Sequence, residues 1–109
     1  MPATPKFEAI LVSRTLGAAS LLVSRTRDLV RGSRGEGARC ASELLGATVH
    51  VLTEIQPAAA RLRPAKVSDR FHILLSELIA VQTAEVNKWD DLLRQWQDRV
   101  FEWKQEFRS

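Results

Sequence analysis

From Pro5 to Arg31 apolar residues return every three or four positions. Leu11, Val12, Leu16, Ala19, Leu22, Val23, Leu29 and Val30 fall on one arc of a helical wheel, and Ser13, Gly17, Ser20, Ser24 and Arg31 on the other. A stripe of that period predicts an amphipathic α-helix over about 5–31. Thr4-Pro5 suits its start: threonine at the N-cap, then proline at the first helical position, where a missing N–H costs nothing. Gly32-Ser33-Arg34-Gly35-Glu36-Gly37, with three glycines in six residues, predicts a loop. A second helix follows from about Ala38, with Leu45, Leu52 and Ile55 on its buried stripe and Ala41 and Ala59 allowing close packing. Pro57 lacks a backbone donor and clashes with the preceding turn, so this helix either ends near Gln56 or kinks and runs to Arg63, before Pro64.

The third pattern is the longest. After Ser68-Asp69, a capping residue and a first-turn acid, the series Phe71, Leu75, Leu78, Gln82, Val86, Trp89, Leu93, Trp96, Val100, Trp103, Phe107 advances in steps of three or four. The mean step matches a straight α-helix, so one helix is expected over 69–107, with Asp90, Arg94 and Asp98 as an ion-pair ladder on its wet face. At about 1.5 Å per residue it measures roughly 58 Å, against roughly 30–40 Å for each of the first two. Its tryptophan-bearing end is therefore expected to overhang them. The expected fold is all-α, a helical hairpin plus a long third helix in one domain of residues 1–109, assembling into an oligomeric helix bundle.

Composition agrees with one helical domain: 109 residues, 45% hydrophobic, no tyrosine. Charge adds an asymmetry. Residues 1–66 hold ten Lys/Arg against five Asp/Glu, whereas residues 67–109 hold six against eight. A basic half beside a mildly acidic one points to two surfaces with different partners. Cys40 is the only cysteine, which excludes an intrachain disulfide and points to a reducing, cytoplasmic compartment. The Ser/Arg-rich, acid-poor first thirty residues also fit a mitochondrial presequence. The N-terminal apolar run is broken by Arg14, and no membrane partner is expected.

Candidate chemistry is sparse. His50 and His72 lie in no catalytic motif, His50 with Glu54 makes only half a metal site, and the glycines of 32–37 match no phosphate loop. The chain is read as a non-enzyme with no metal and no cofactor. Two features speak to binding. Trp89, Trp96 and Trp103 stand at sevenfold spacing on one helix face and, with Leu93, Val100 and Phe107, form a candidate oligomer or partner interface. The pentapeptide LVSRT occurs at 11–15 and again at 22–26. An eleven-residue offset is just over three turns, so Ser13 and Ser24 align, as do Arg14 and Arg25, about 16 Å apart. With Arg27 and Arg31 flanking, this Ser/Arg face is a candidate contact for a nucleic-acid backbone, where guanidiniums clamp oxygens and small residues permit close approach. Such a face reads shape rather than bases, and duplex RNA is favoured.

The MPATPK lead-in, the amphipathic helix ending at Arg31, the Gly/Arg loop, the helix GARCASELLGATVHVLTEI and the stop at Pro64 resemble, in length and pattern, the RNA-silencing suppressors of nodaviruses. The resemblance covers residues 1–64, and Pro57 and the long third helix depart from it. It implies a dimeric four-helix bundle laid along double-stranded RNA. The expected function is thus a non-enzymatic, oligomeric RNA-binding protein, with a dimer favoured. The alternative is an adaptor, an assembly subunit or a small viral or phage inhibitor that docks through its third helix.

Overall fold

The structure, a computed structural model, describes residues 5–32 and 36–108. Helix α1 spans Pro5–Gly32, α2 Glu36–Glu54, α3 Gln56–Ala60, α4 Ala65–Gln82 and α5 Trp89–Arg108, with a single 3-10 turn at Val86–Lys88 before α5. The proposed cap Thr4 and loop positions 33–35 lie outside the described residues.

The helices form a closed ring of contacts, α1 on α2, α2 on α4, α4 on α5 and α5 back on α1, with short α3 packed on α1 and α4. Cross-helix bonds run in descending order along the sequence. Trp96 and Trp103 reach Leu74 and Val67, and Asp90 and Gln97 reach Arg27 and Ser24. Such an order makes α4 antiparallel to α5 and α5 antiparallel to α1. The architecture is an all-α, up-down-up-down four-helix bundle of 53 × 22 × 19 Å.

A single helix over 69–107 does not form. The chain turns at residues 83–85, and the two halves of the expected helix lie side by side as α4 and α5. Tertiary packing overrides local propensity here. Extended, the 69–107 stripe would leave three tryptophans beyond the reach of the first two helices. Folded back, it buries all three within the chain, and each indole N–H finds a carbonyl: Ala84 at 3.0 Å, Leu74 at 2.7 Å and Val67 at 3.0 Å. Buried indole nitrogens need such partners, and the last two acceptors lie on another helix. The expected overhang disappears too, because α4 has 18 residues and α5 has 20 beside the 28 of α1 and the 19 of α2.

The core that results is continuous. Val12, Leu16, Val23, Leu45, Leu52, Phe71, Leu78, Leu93 and Trp96 are all buried, and Thr26 and Thr48 join them with hydroxyls donating to the carbonyls of Leu22 and Leu44, one turn back. Leu11, placed on the buried arc by its wheel position, is instead exposed. Of the two courses open at Pro57, the second helix takes the first and ends near Gln56. It stops at Glu54, and α3 restarts around Pro57 in its first turn, where no donor is required.

Candidate functional site

The tryptophan face belongs to the chain's own core. Trp89, Trp96 and Trp103 are 3%, 1% and 2% exposed, Leu93 and Val100 are likewise buried, and none of the five is available to a partner. This corrects the expected interface; the side chain of Phe107, its sixth member, lies outside the described residues.

The Ser/Arg face divides in two. One part is the seam between α1 and α5. Gln97 Nε2 donates to the Ser20 carbonyl at 2.8 Å and to Ser24 Oγ at 2.7 Å, while its Oε1 accepts from Arg27 Nη1 at 2.9 Å. Arg27 Nε donates to Asp90 Oδ1 at 2.7 Å, and Arg31 approaches the same oxygen at 3.5 Å. One turn before Ser20, a Cβ on Gly17 would stand 2.9 Å from Lys104 Nζ. The strip of small residues therefore receives α5: Asp90, Gln97 and Lys104 lie along it, seven residues apart. Ser24 and Arg27 are engaged inside the molecule and do not form part of an open surface. The expected ladder on α5 is likewise replaced, since Asp90 pairs with Arg27 and Arg94 with Asp91 at 3.1 Å.

The hydrogen bond from Arg27 holds the Asp90 carboxyl below its ordinary value of 3.8; partial burial opposes this, and the charges of Arg27, Arg31 and Arg94 add to the lowering. A carboxyl lowered in the folded state contributes stability that is present above its unfolded pKa and lost as pH falls through the folded one. Acidification below the ordinary carboxylate range should therefore loosen the α1–α5 seam. Urea unfolding followed across acidic pH checks this. Asp90→Asn should flatten that part of the profile, and an unchanged profile would refute the assignment.

The other part faces outward. Arg14 and Arg25 are exposed and, among the described residues, form no ion pair or hydrogen bond; Ser13 is half-buried; Arg31 is exposed and reaches Asp28 at 3.4 Å. What accompanies the two arginines is not polar. Phe7 is 71% exposed, Ile10 50% and Leu21 70%, with Leu11 and Ala18 exposed beside them. The stretch Phe7–Gly32 is long and apolar enough to cross a membrane by length and composition, with a mean hydropathy of 1.4 over its most apolar 18 residues, yet only 22% of that window is buried. The bundle accounts for one stripe of it, Val12, Leu16, Ala19 and Val23. The outer stripe is a second apolar face on the same helix.

Compared with protein-family models, curated proteins and solved structures, the chain matches none.

Elsewhere the surface offers less. A groove of about 290 Å³ between α4 and α5 is lined by Ile73, Leu74 and Trp103, with Glu77 and Arg99 neutralising one another across it at 2.9 Å. His50 and Glu54 are exposed and 4.0 Å apart, and the described residues contain no group of three or more metal-ligating side chains. Cys40 is exposed and unpaired.

Proposed function

We propose that this chain is a helical adaptor or assembly subunit that works by protein–protein contact, and that its contact surface is the outer face of α1. The observation that carries this reading is the exposure of Phe7, Ile10 and Leu21 along one side of a helix whose opposite side already fills the core. Contiguous exposed apolar side chains on a soluble bundle mark an interaction site, and arginines among them supply polar anchoring. The surface is helical, convex and long, which suits a partner helix laid along it.

A photo-reactive benzophenone residue in place of Leu21 tests the proposal in cells. Position 21 should give discrete covalent protein adducts, and exposed Asp98 on α5, substituted in the same way, should give none. Absence of protein adducts at position 21 would overturn the reading, as would equal adducts at both positions.

One observation favours a second reading. Arg14 and Arg25 share a direction, about 16 Å apart along the axis, and both are exposed. That supports contact with two phosphates of duplex RNA, in keeping with the nodaviral resemblance. With Ser24 and Arg27 taken up by Gln97 and Asp90, such a face would rest on two arginines among apolar side chains. Binding of this kind should weaken steeply with salt and vanish in an Arg14→Glu/Arg25→Glu variant; a gel shift at moderate ionic strength without retardation would remove it.

A further inference from the structure

We propose that the occupant of the α1 outer face is a second copy of this chain, packed antiparallel with its two-fold axis at Leu21. The inference rests on the protein-contact reading above and names its partner. Phe7, Arg14, Leu21 and Asp28 stand seven residues apart, so they form one line along the helix, drifting only about 20° per step. All four are exposed. Leu21 is flanked on this line by one positive and one negative charge at equal distances, seven residues before it and seven after.

That spacing is self-complementary. In a two-fold interface the same patch serves both partners, and each contact is made twice. Antiparallel α1 helices centred on Leu21 set Leu21 against its own copy and bring Arg14 of each chain opposite Asp28 of the other, giving two reciprocal ion pairs around an apolar centre. Ala18, one turn from the axis, is small enough to let the helices approach. The overlap would run over residues 10–32, about 33 Å, at the shallow crossing angle that keeps a heptad line in contact.

Competing registers fail on charge or on overlap. Parallel pairing sets Arg14 on Arg14 and Asp28 on Asp28. Pairing Arg25 with Asp28 moves the axis beyond residue 26 and leaves only about twelve residues of overlap, with Ile10 and Arg14 uncovered. Glu8, the other acidic residue of α1, is already held by Arg61 at 2.8 Å. Asp28 is free to exchange partners, since its side chain is 68% exposed and its contact with Arg31 is 3.4 Å long.

Sedimentation of the full chain at micromolar concentrations tests the proposal, with circular dichroism to verify helix content. The wild type should be dimeric. Leu21→Glu, which sets two carboxylates at the axis, should be monomeric and fully helical. Arg14→Asp and Asp28→Arg should each weaken the dimer by about tenfold or more, and the double charge swap should restore it, because it exchanges the partners without changing the pairing. A monomeric wild type would overturn the proposal, as would a dimer indifferent to Leu21→Glu or a double swap no stronger than the singles. The photo-adduct at position 21 separates the two levels: twice the chain mass supports self-pairing, a different mass retains the docking face but overturns the second copy, and no adduct overturns both.

Discussion

Trp96→Ala is expected to destabilise the monomer by about 3–5 kcal/mol, the range for truncating a large buried aromatic. Trp96 is 1% exposed, and its indole N–H donates to the Leu74 carbonyl at 2.7 Å. Alanine removes the ring that fills the space between α4 and α5 together with a bond that ties the two helices. Against a total stability of roughly 5–15 kcal/mol, the loss should lower the melting temperature by on the order of 15 °C or unfold the chain outright. Trp96→Phe, which keeps most of the ring but not the donor, should lie between the variant and the wild type. An overhanging tryptophan would give the opposite result: unchanged monomer melting and a change only in assembly. A Trp96→Ala variant that melts within a degree or two of wild type would therefore sink the folded-back arrangement of α4 and α5.

The turn that creates this arrangement leaves almost no trace in the sequence. The apolar series passes through it in phase, from Leu78 to Gln82, Val86 and Trp89, and Thr83-Ala84-Glu85 contains neither glycine nor proline. Periodicity reports which face is apolar, not whether the axis continues, so a hairpin whose arms keep the same phase reads as one long helix. The signal was in the cost of the alternative. Three tryptophans on a helix longer than its neighbours need cover, and folding the helix back supplies that cover without a second chain. Helix α1 was legible because its apolar stripe and its Gly-rich exit agree, and the stop at Glu54 because Pro57 cannot continue a helix.

The candidate site was half legible for a related reason. The repeated LVSRT correctly aligns Arg14 with Arg25 and Ser13 with Ser24, since an eleven-residue offset is nearly a whole number of turns. A wheel cannot tell a wet polar face from one that receives another helix through polar contacts. Its complement lay elsewhere in the chain, where Asp90, Gln97 and Lys104 repeat every seven residues, each one position after a tryptophan. A polar heptad line beside an apolar one suggests a seam with hydrogen-bonding partners rather than a solvent ladder. Leu21 and Asp28, an apolar side chain and an acid that do not suit a phosphate-binding arc, become the centre and the counter-charge of a self-complementary line once the small residues are assigned to α5.

Gln97→Ala should cost about 1.5–3 kcal/mol, far more than an ordinary substitution at a half-buried polar position. One amide joins three groups of α1: it donates to the Ser20 carbonyl and to Ser24 Oγ and accepts from Arg27 Nη1. Truncation removes these bonds at once, one of them to a charged donor whose side chain is only 17% exposed and has little access to replacement water. Arg27→Ala should cost a similar amount, and the two losses should not add, because each variant removes the bond the other also removes. Arg25 supplies the control, being exposed and outside the Gln97 network. Arg25→Ala should change stability by less than about 0.5 kcal/mol and add independently to Gln97→Ala. Chemical denaturation of the two double-mutant cycles measures both couplings. Coupling of Gln97 to Arg27 but not to Arg25 would separate Arg25 of the second LVSRT copy, which faces outward, from Arg27 two positions on, which holds α1 to α5. Equal coupling, or none, would mean that the seam is not the polar joint described here.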